Sequence, residues 1–155
     1  MSQDSKFVTT ESPDTPPGKR LTEAKIVKYV KPQTDRVKGV AVLARSDIML
    51  SAVQLVKKGG ETNLHAHSAF DGLWFVLNGR ARFYGRDNVV LGEFGQHEGA
   101  FIPRGVPYWF ESASEEPLEI LQVECAEKGV TPKRIDYEPP RASRKENHEV
   151  FMPSK

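Results

Sequence analysis

Between residues 21 and 126, turn-forming residues cut this chain about every eight to twelve positions, leaving intervals too short for most helices. Apolar runs fill the intervals: Lys25–Val30, Gly39–Ala44, Met49–Lys57, Leu73–Leu77, Arg80–Tyr84, Val89–Leu91, Ala100–Pro103, Tyr108–Glu111 and Leu118–Cys125. None holds a helical period for long, whereas Leu118–Cys125 alternates with the period of two that a half-buried strand requires. In Met49–Lys57, Val53 and Leu55 fall on one face and Ala52, Gln54 and Val56 on the other. Leu73–Leu77 reads as a buried strand. The Asn78-Gly79 that closes it predicts a tight hairpin, whose two turn positions need positive φ. About nine or ten short strands indicate an all-β sandwich or barrel.

A chain of 155 residues is one domain, long enough to bury a core. Its 22 basic and 21 acidic side chains leave a net charge of +1, which argues against nucleic acid or a membrane surface as partner. No apolar run approaches the ~18 residues of a membrane span. The polar start, Met1-Ser2-Gln3-Asp4-Ser5-Lys6, is unlike a secretory signal, so a cytoplasmic location is expected. The single cysteine, Cys125, ends an apolar strand and reads as a packing residue rather than a nucleophile. Pro13, Pro16, Pro17 and Gly18 make residues 1–20 a flexible arm; 21–126 form the barrel. Pro132, Pro139, Pro140 and Pro153 among charges make 127–155 a tail, with one short helix near Ser143–Glu149. His97 and His148 read as solvent-exposed, Arg80 and Arg82 as a solvated outer face, and Arg104 as a rim residue able to grip a carboxylate.

The chemistry centres on Gly59–Gly79, and within it on His65-Ala66-His67. In an extended segment, residues i and i+2 share a face, roughly 6–7 Å apart. Two imidazoles so placed can converge on one metal ion at about 2.0–2.1 Å.

At these residues the chain resembles the cupins, small jelly-roll β-barrels. Gly59, His65, His67 and Gly79 fall on the first cupin motif; Pro103 and Gly105 fall on the second. The resemblance covers about residues 40–125 and implies a single-domain cupin barrel that dimerises through its sheets. The same alignment places Gly72 where the family carries a Glu ligand and Tyr108 where it carries a third His ligand. Ser112 stands for the Asn that ends the second motif, and His97 for the Gly that opens it.

Two of the four usual ligands are thus present, and two routes lead to a third. Asp71 can turn inward through a bulge that Gly72 permits, or Tyr108 can ligate as phenolate. Such a mixed N/O set suits iron, zinc or manganese. With no metal, His65 and His67 would be hydrogen-bonding groups in a polar pocket. If Gly72 points inward, Trp74 shares its face and Phe110 shares that of Tyr108; with Gln54 they outline a small-ligand pocket. The resemblance implies dioxygenase, isomerase, cyclase or lyase chemistry on a small oxygenated molecule. In it the metal acts as Lewis acid or dioxygen site, and Tyr108 as ligand or proton donor. A metal-free cupin that binds a small ligand, or a dimeric scaffold, is the alternative.

Overall fold

A computed structural model of the chain describes residues 10–13, 18–139 and 148–153. Among these, the chain forms β1 (Thr10–Pro13), β2 (Lys38–Arg45), β3 (Met49–Val56), β4 (His65–His67), β5 (Phe70–Asn78) and β6 (Ala81–Tyr84). It continues with β7 (Val90–Phe94), β8 (Gly99–Ile102), β9 (Trp109–Ser112), β10 (Leu118–Ala126), β11 (Lys133–Asp136) and β12 (His148–Phe151). A single 3-10 turn, Arg86–Asn88, is the only helical element among the described residues. The fold is all-β, as the spacing of turns requires.

One sheet runs β12-β2-β3-β10-β5-β8; two three-stranded sheets run β1-β11-β4 and β7-β6-β9. A backbone bridge between His65 and Tyr108 joins the two smaller sheets into one opposing wall. The core fills the space between the walls. Val56, Trp74, Val76, Leu118 and Ile120 come from the large sheet, and Phe83, Tyr108 and Phe110 from the other side. Period-two alternation produces this directly: along β5, Phe70, Gly72, Trp74 and Val76 are buried, while Leu73 is exposed.

The hairpin expected at Asn78-Gly79 does not form. β5 pairs with β10 and β8, and β6 with β7 and β9, so the turn carries the chain from one wall to the other. Only Gly79 of the pair has positive φ, at 83°. A Cβ there would press on Leu118 Cα and Pro117 O, each 3.2 Å away, so backbone contact as well as φ demands glycine.

Lys25–Val30 is not a strand. Ile26 and Val30 are 93% and 68% exposed, and the segment is tied down instead by the Tyr29 hydroxyl, which donates to Glu119. The termini contribute where none was expected. Residues 10–13 of the expected arm pair antiparallel with β11, and β12 pairs parallel with β2. The helix expected over Ser143–Glu149 lies mostly outside the described residues, and its last two positions, His148 and Glu149, are in β12. Cys125 is exposed rather than packed, because β10 turns Leu118, Ile120, Gln122 and Glu124 inward and leaves Cys125 on the other face.

Candidate functional site

β4 is three residues long, with β11 on one side and the Tyr108 bridge on the other. That short ladder presents both histidine rings to the space between the walls, with centroids 5.0 Å apart. The Tyr108 ring lies 4.5 Å from that of His65, and its hydroxyl is 3.2 Å from His67 Nε2. All three line a cavity of about 430 Å³ that Gln54, Trp74 and Phe110 also border. The structure therefore brings together six of the seven site residues expected from sequence.

Asp71 is the exception. β5 and β10 stay in register through Asp71 and Gly72, with no bulge there, so Asp71 keeps to the outer face. Its carboxylate accepts from the backbone N–H and guanidinium of Arg104, which also holds Glu127. Arg104 thus grips a carboxylate, but one belonging to this chain. Arg80 and Arg82 are on the outer face as expected, both bound to Glu93. His97 is exposed beside Phe75, whereas His148 lines the cavity, carried there by β12.

His65 is fixed by its surroundings. Its Nδ1 lies 2.6 Å from the Asn63 carbonyl, which can only accept, so Nδ1 carries the proton and Nε2 keeps its lone pair. Asn63 is in turn bound by Arg134 at 2.6 Å and bonds Asp136 at 2.9 Å, both from β11. Burial, with the Arg134 guanidinium and His67 beside it, pushes the His65 imidazole well below its ordinary range, so the ring is neutral. A neutral imidazole whose far nitrogen is anchored to a carbonyl is the form that ligates metals.

The same shift has a consequence for stability. The unfolded chain takes up a proton on this residue near pH 6.5 and the native protein does not, so stability present above that pH is lost as pH falls. In metal-free protein, His65 is expected to contribute a loss of up to about 1.4 kcal/mol per pH unit below about pH 6.5. Urea denaturation across pH 4.5–7.5 should show a shallower slope in His65→Asn, which keeps a donor for Asn63 but does not titrate.

Several cavity residues escaped the sequence reading. Among them, Gln122 and Glu124 come from β10, Lys38 from β2 and Arg134 from β11; all four are buried. The Gln54 amide N–H donates to Gln122 Oε1 at 2.6 Å, and the Gln122 amide N–H donates to Glu124 Oε1 at 2.6 Å. Glu124 Oε1 stands 3.7 Å from His67 Nε2. Gln54 Oε1, although buried, has no hydrogen-bond partner among the described residues. Among the described residues no group of three or more His, Cys, Asp and Glu side chains has the spacing of a complete metal cage.

No family model matches the sequence, and no curated protein matches it. Solved structures do. A double-stranded β-helix protein from Klebsiella pneumoniae superposes with a TM-score of 0.60 at 18% identity, over 76% of this chain and 100% of that one. An RmlC-like cupin from Desulfovibrio desulfuricans gives 0.53 at 16% identity, over 68% of this chain and 97% of its own. The chain has the cupin fold. The resemblance drawn from Gly59, His65, His67 and Gly79 holds for the architecture. A conserved protein of unknown function from Streptococcus pyogenes shares it too, with a TM-score of 0.55 at 16% identity, over 71% of this chain and 96% of that one.

Proposed function

We propose that this cupin binds a divalent iron, zinc or manganese ion through His65 and His67 and acts on a small oxygenated organic molecule. The observation that carries the reading is the convergence of two imidazoles in one cavity, with His65 neutral and its Nε2 lone pair available. The donor types support such an ion: imidazole nitrogens with a phenol oxygen nearby suit these three metals. When bound, the metal supplies Lewis-acid or oxygen-activating chemistry.

The remaining residues bind and orient. Gln54 Oε1 is an acceptor in need of a donor, which a substrate hydroxyl provides. Lys38 and Arg134 add positive charge to the wall, favouring a carboxylate or other anionic group on the substrate. Tyr108, in hydrogen-bond reach of His67, is placed to give or take a proton at its hydroxyl oxygen. Trp74 and Phe110 exclude water along the apolar side. The near-balanced charge supports a small molecule rather than nucleic acid or a membrane as partner, and a cytoplasmic homodimer completes the reading.

Thermal unfolding tests this. A ligand at a hundredfold excess over its Kd adds about 2.7 kcal/mol. Iron(II), zinc or manganese should each be tried on metal-free protein, followed by a panel of small hydroxy acids. The expected result is stabilisation by at least one metal and further stabilisation by a hydroxy acid only with that metal present. Stabilisation by a hydroxy acid with none from any metal would make the protein a metal-free binding module instead.

A further inference from the structure

We propose that the ligand of this cavity is amphipathic, with an oxygenated head seated at the histidines and an aliphatic tail lying over β2 and β12 toward the mouth. The inference rests on the small-molecule part of the reading above and deepens it by naming the substrate class. It does not depend on a bound metal.

Across the inner face of the large sheet the usual order of burial is reversed. Two rows of paired residues lead from the edge to the centre: Val150, Val40 and Gln54 in one, Val42, Ala52 and Gln122 in the other. Each row ends on a buried amide, Gln54 at 7% and Gln122 at 8% exposure. At the edge, Val150 is 60% exposed and Met152, two residues on, is 67% exposed. Apart from Ala52, all of these side chains line the same cavity as His65 and His67. Its closed end is therefore polar and its solvent end apolar. Buried polar groups and exposed apolar ones are the informative exceptions to ordinary burial. A ligand that matches both ends carries its polar groups inward and its apolar part outward.

Alternation builds the strip: Val40 and Val42 share a face of β2, and Lys38 and Arg45 stand at the two ends of that strand with the valines between them. Val40, Val42, Leu50, Val150 and Met152 lie outside the aromatic core. Apolar surface at a cavity mouth gains when a ligand covers it. The volume agrees. The cavity of about 430 Å³ holds about fourteen groups of the ~30 Å³ that a water molecule takes up in the liquid. A four-carbon hydroxy acid, with about seven heavy atoms, fills half of that, and a tail of about four to six further carbons fills the rest.

The test is a series of straight-chain 2-hydroxy acids from four to eight carbons, titrated by calorimetry into the full chain with and without zinc(II). It is run on wild type and on Val150→Thr/Met152→Gln, checked for folding by circular dichroism. Both substitutions keep the shape of the side chain and make it polar, at positions exposed enough to tolerate the change. A fully buried methylene multiplies affinity about fourfold, and one left partly open to solvent gives less. The expected result is an affinity about tenfold or more higher for the eight-carbon acid than for the four-carbon acid, at one ligand per chain. In the double variant that ratio falls at least threefold, while the four-carbon acid binds as it does to wild type. A smaller rise in wild type, with the four-carbon acid bound, would overturn the tail and leave the small-molecule reading standing. A rise that the double variant keeps in full, or one that comes with more than one ligand per chain, would overturn the tail as well. Absence of binding by every acid, with and without zinc(II), would overturn both.

Discussion

Phe110→Ala is expected to lower the free energy of unfolding by about 3–5 kcal/mol, the range for removing a large aromatic from a close-packed core. Phe110 has no exposed surface and sits at the hub of the aromatic cluster. Its ring stacks on Phe83 at 4.9 Å between centroids and meets Trp74 at 5.0 Å. Its backbone is fixed as well, by the Thr62 hydroxyl and the pairing with Phe83 on β6. The neighbours therefore have little freedom to close over the lost volume, which puts the cost at the upper end for such a substitution. For a chain of this size the loss corresponds to roughly 6–20 °C in Tm. Chemical denaturation measures it, and a loss below about 1 kcal/mol would mean that the two walls are not packed through this ring.

Gly99→Ala should be comparably damaging, for a different reason. Gly99 opens β8 and pairs with Phe75 on β5. A Cβ at that position would stand 1.9 Å from the Trp74 carbonyl oxygen and 3.0 Å from Phe75 Cα. Both are backbone atoms, so no side-chain rotation relieves the clash and the strands must separate. We expect a cost of about 3 kcal/mol, the top of the usual range for overpacking. The displaced strand carries Trp74, so ligand binding in the cavity should weaken along with stability. A variant as stable as wild type would show that β8 is free to slide along β5.

The two substitutions also mark what could be read from the sequence. Period two along β5 placed Trp74 on the inner face with Gly72, and the spacing of His65 and His67 placed both rings in one cavity. Tyr108 followed from the resemblance to the second cupin motif, Phe110 from sharing its face at a spacing of two, and Gln54 from the alternation along β3. Glu124 did not, because β10 contains the adjacent apolar pair Ile120 and Leu121, at which the apolar phase changes face. Read from Leu121, Val123 and Cys125, the strand turns Glu124 outward; the fold follows Leu118 and Ile120 and turns it inward. The buried pair Gln122 and Glu124, spaced by two, was the available signal.

Other differences come from long-range pairing, which local pattern does not encode. Asn78-Gly79 has hairpin chemistry, yet β5 is already paired on both edges, by β10 and β8, and cannot also receive β6. Lys25–Val30 has strand composition, but none of the described strands pairs with it. His148 reaches the cavity only because β12 returns beside β2, a parallel pairing between positions far apart in sequence.

The claim on which the rest depends is that His65 and His67 hold a metal. Elemental analysis of the purified protein, beside His65→Ala/His67→Ala, tests it most directly. The account predicts close to one equivalent of iron, zinc or manganese per chain in wild type and none in the variant. No metal in wild type, even after incubation with all three ions, would contradict it.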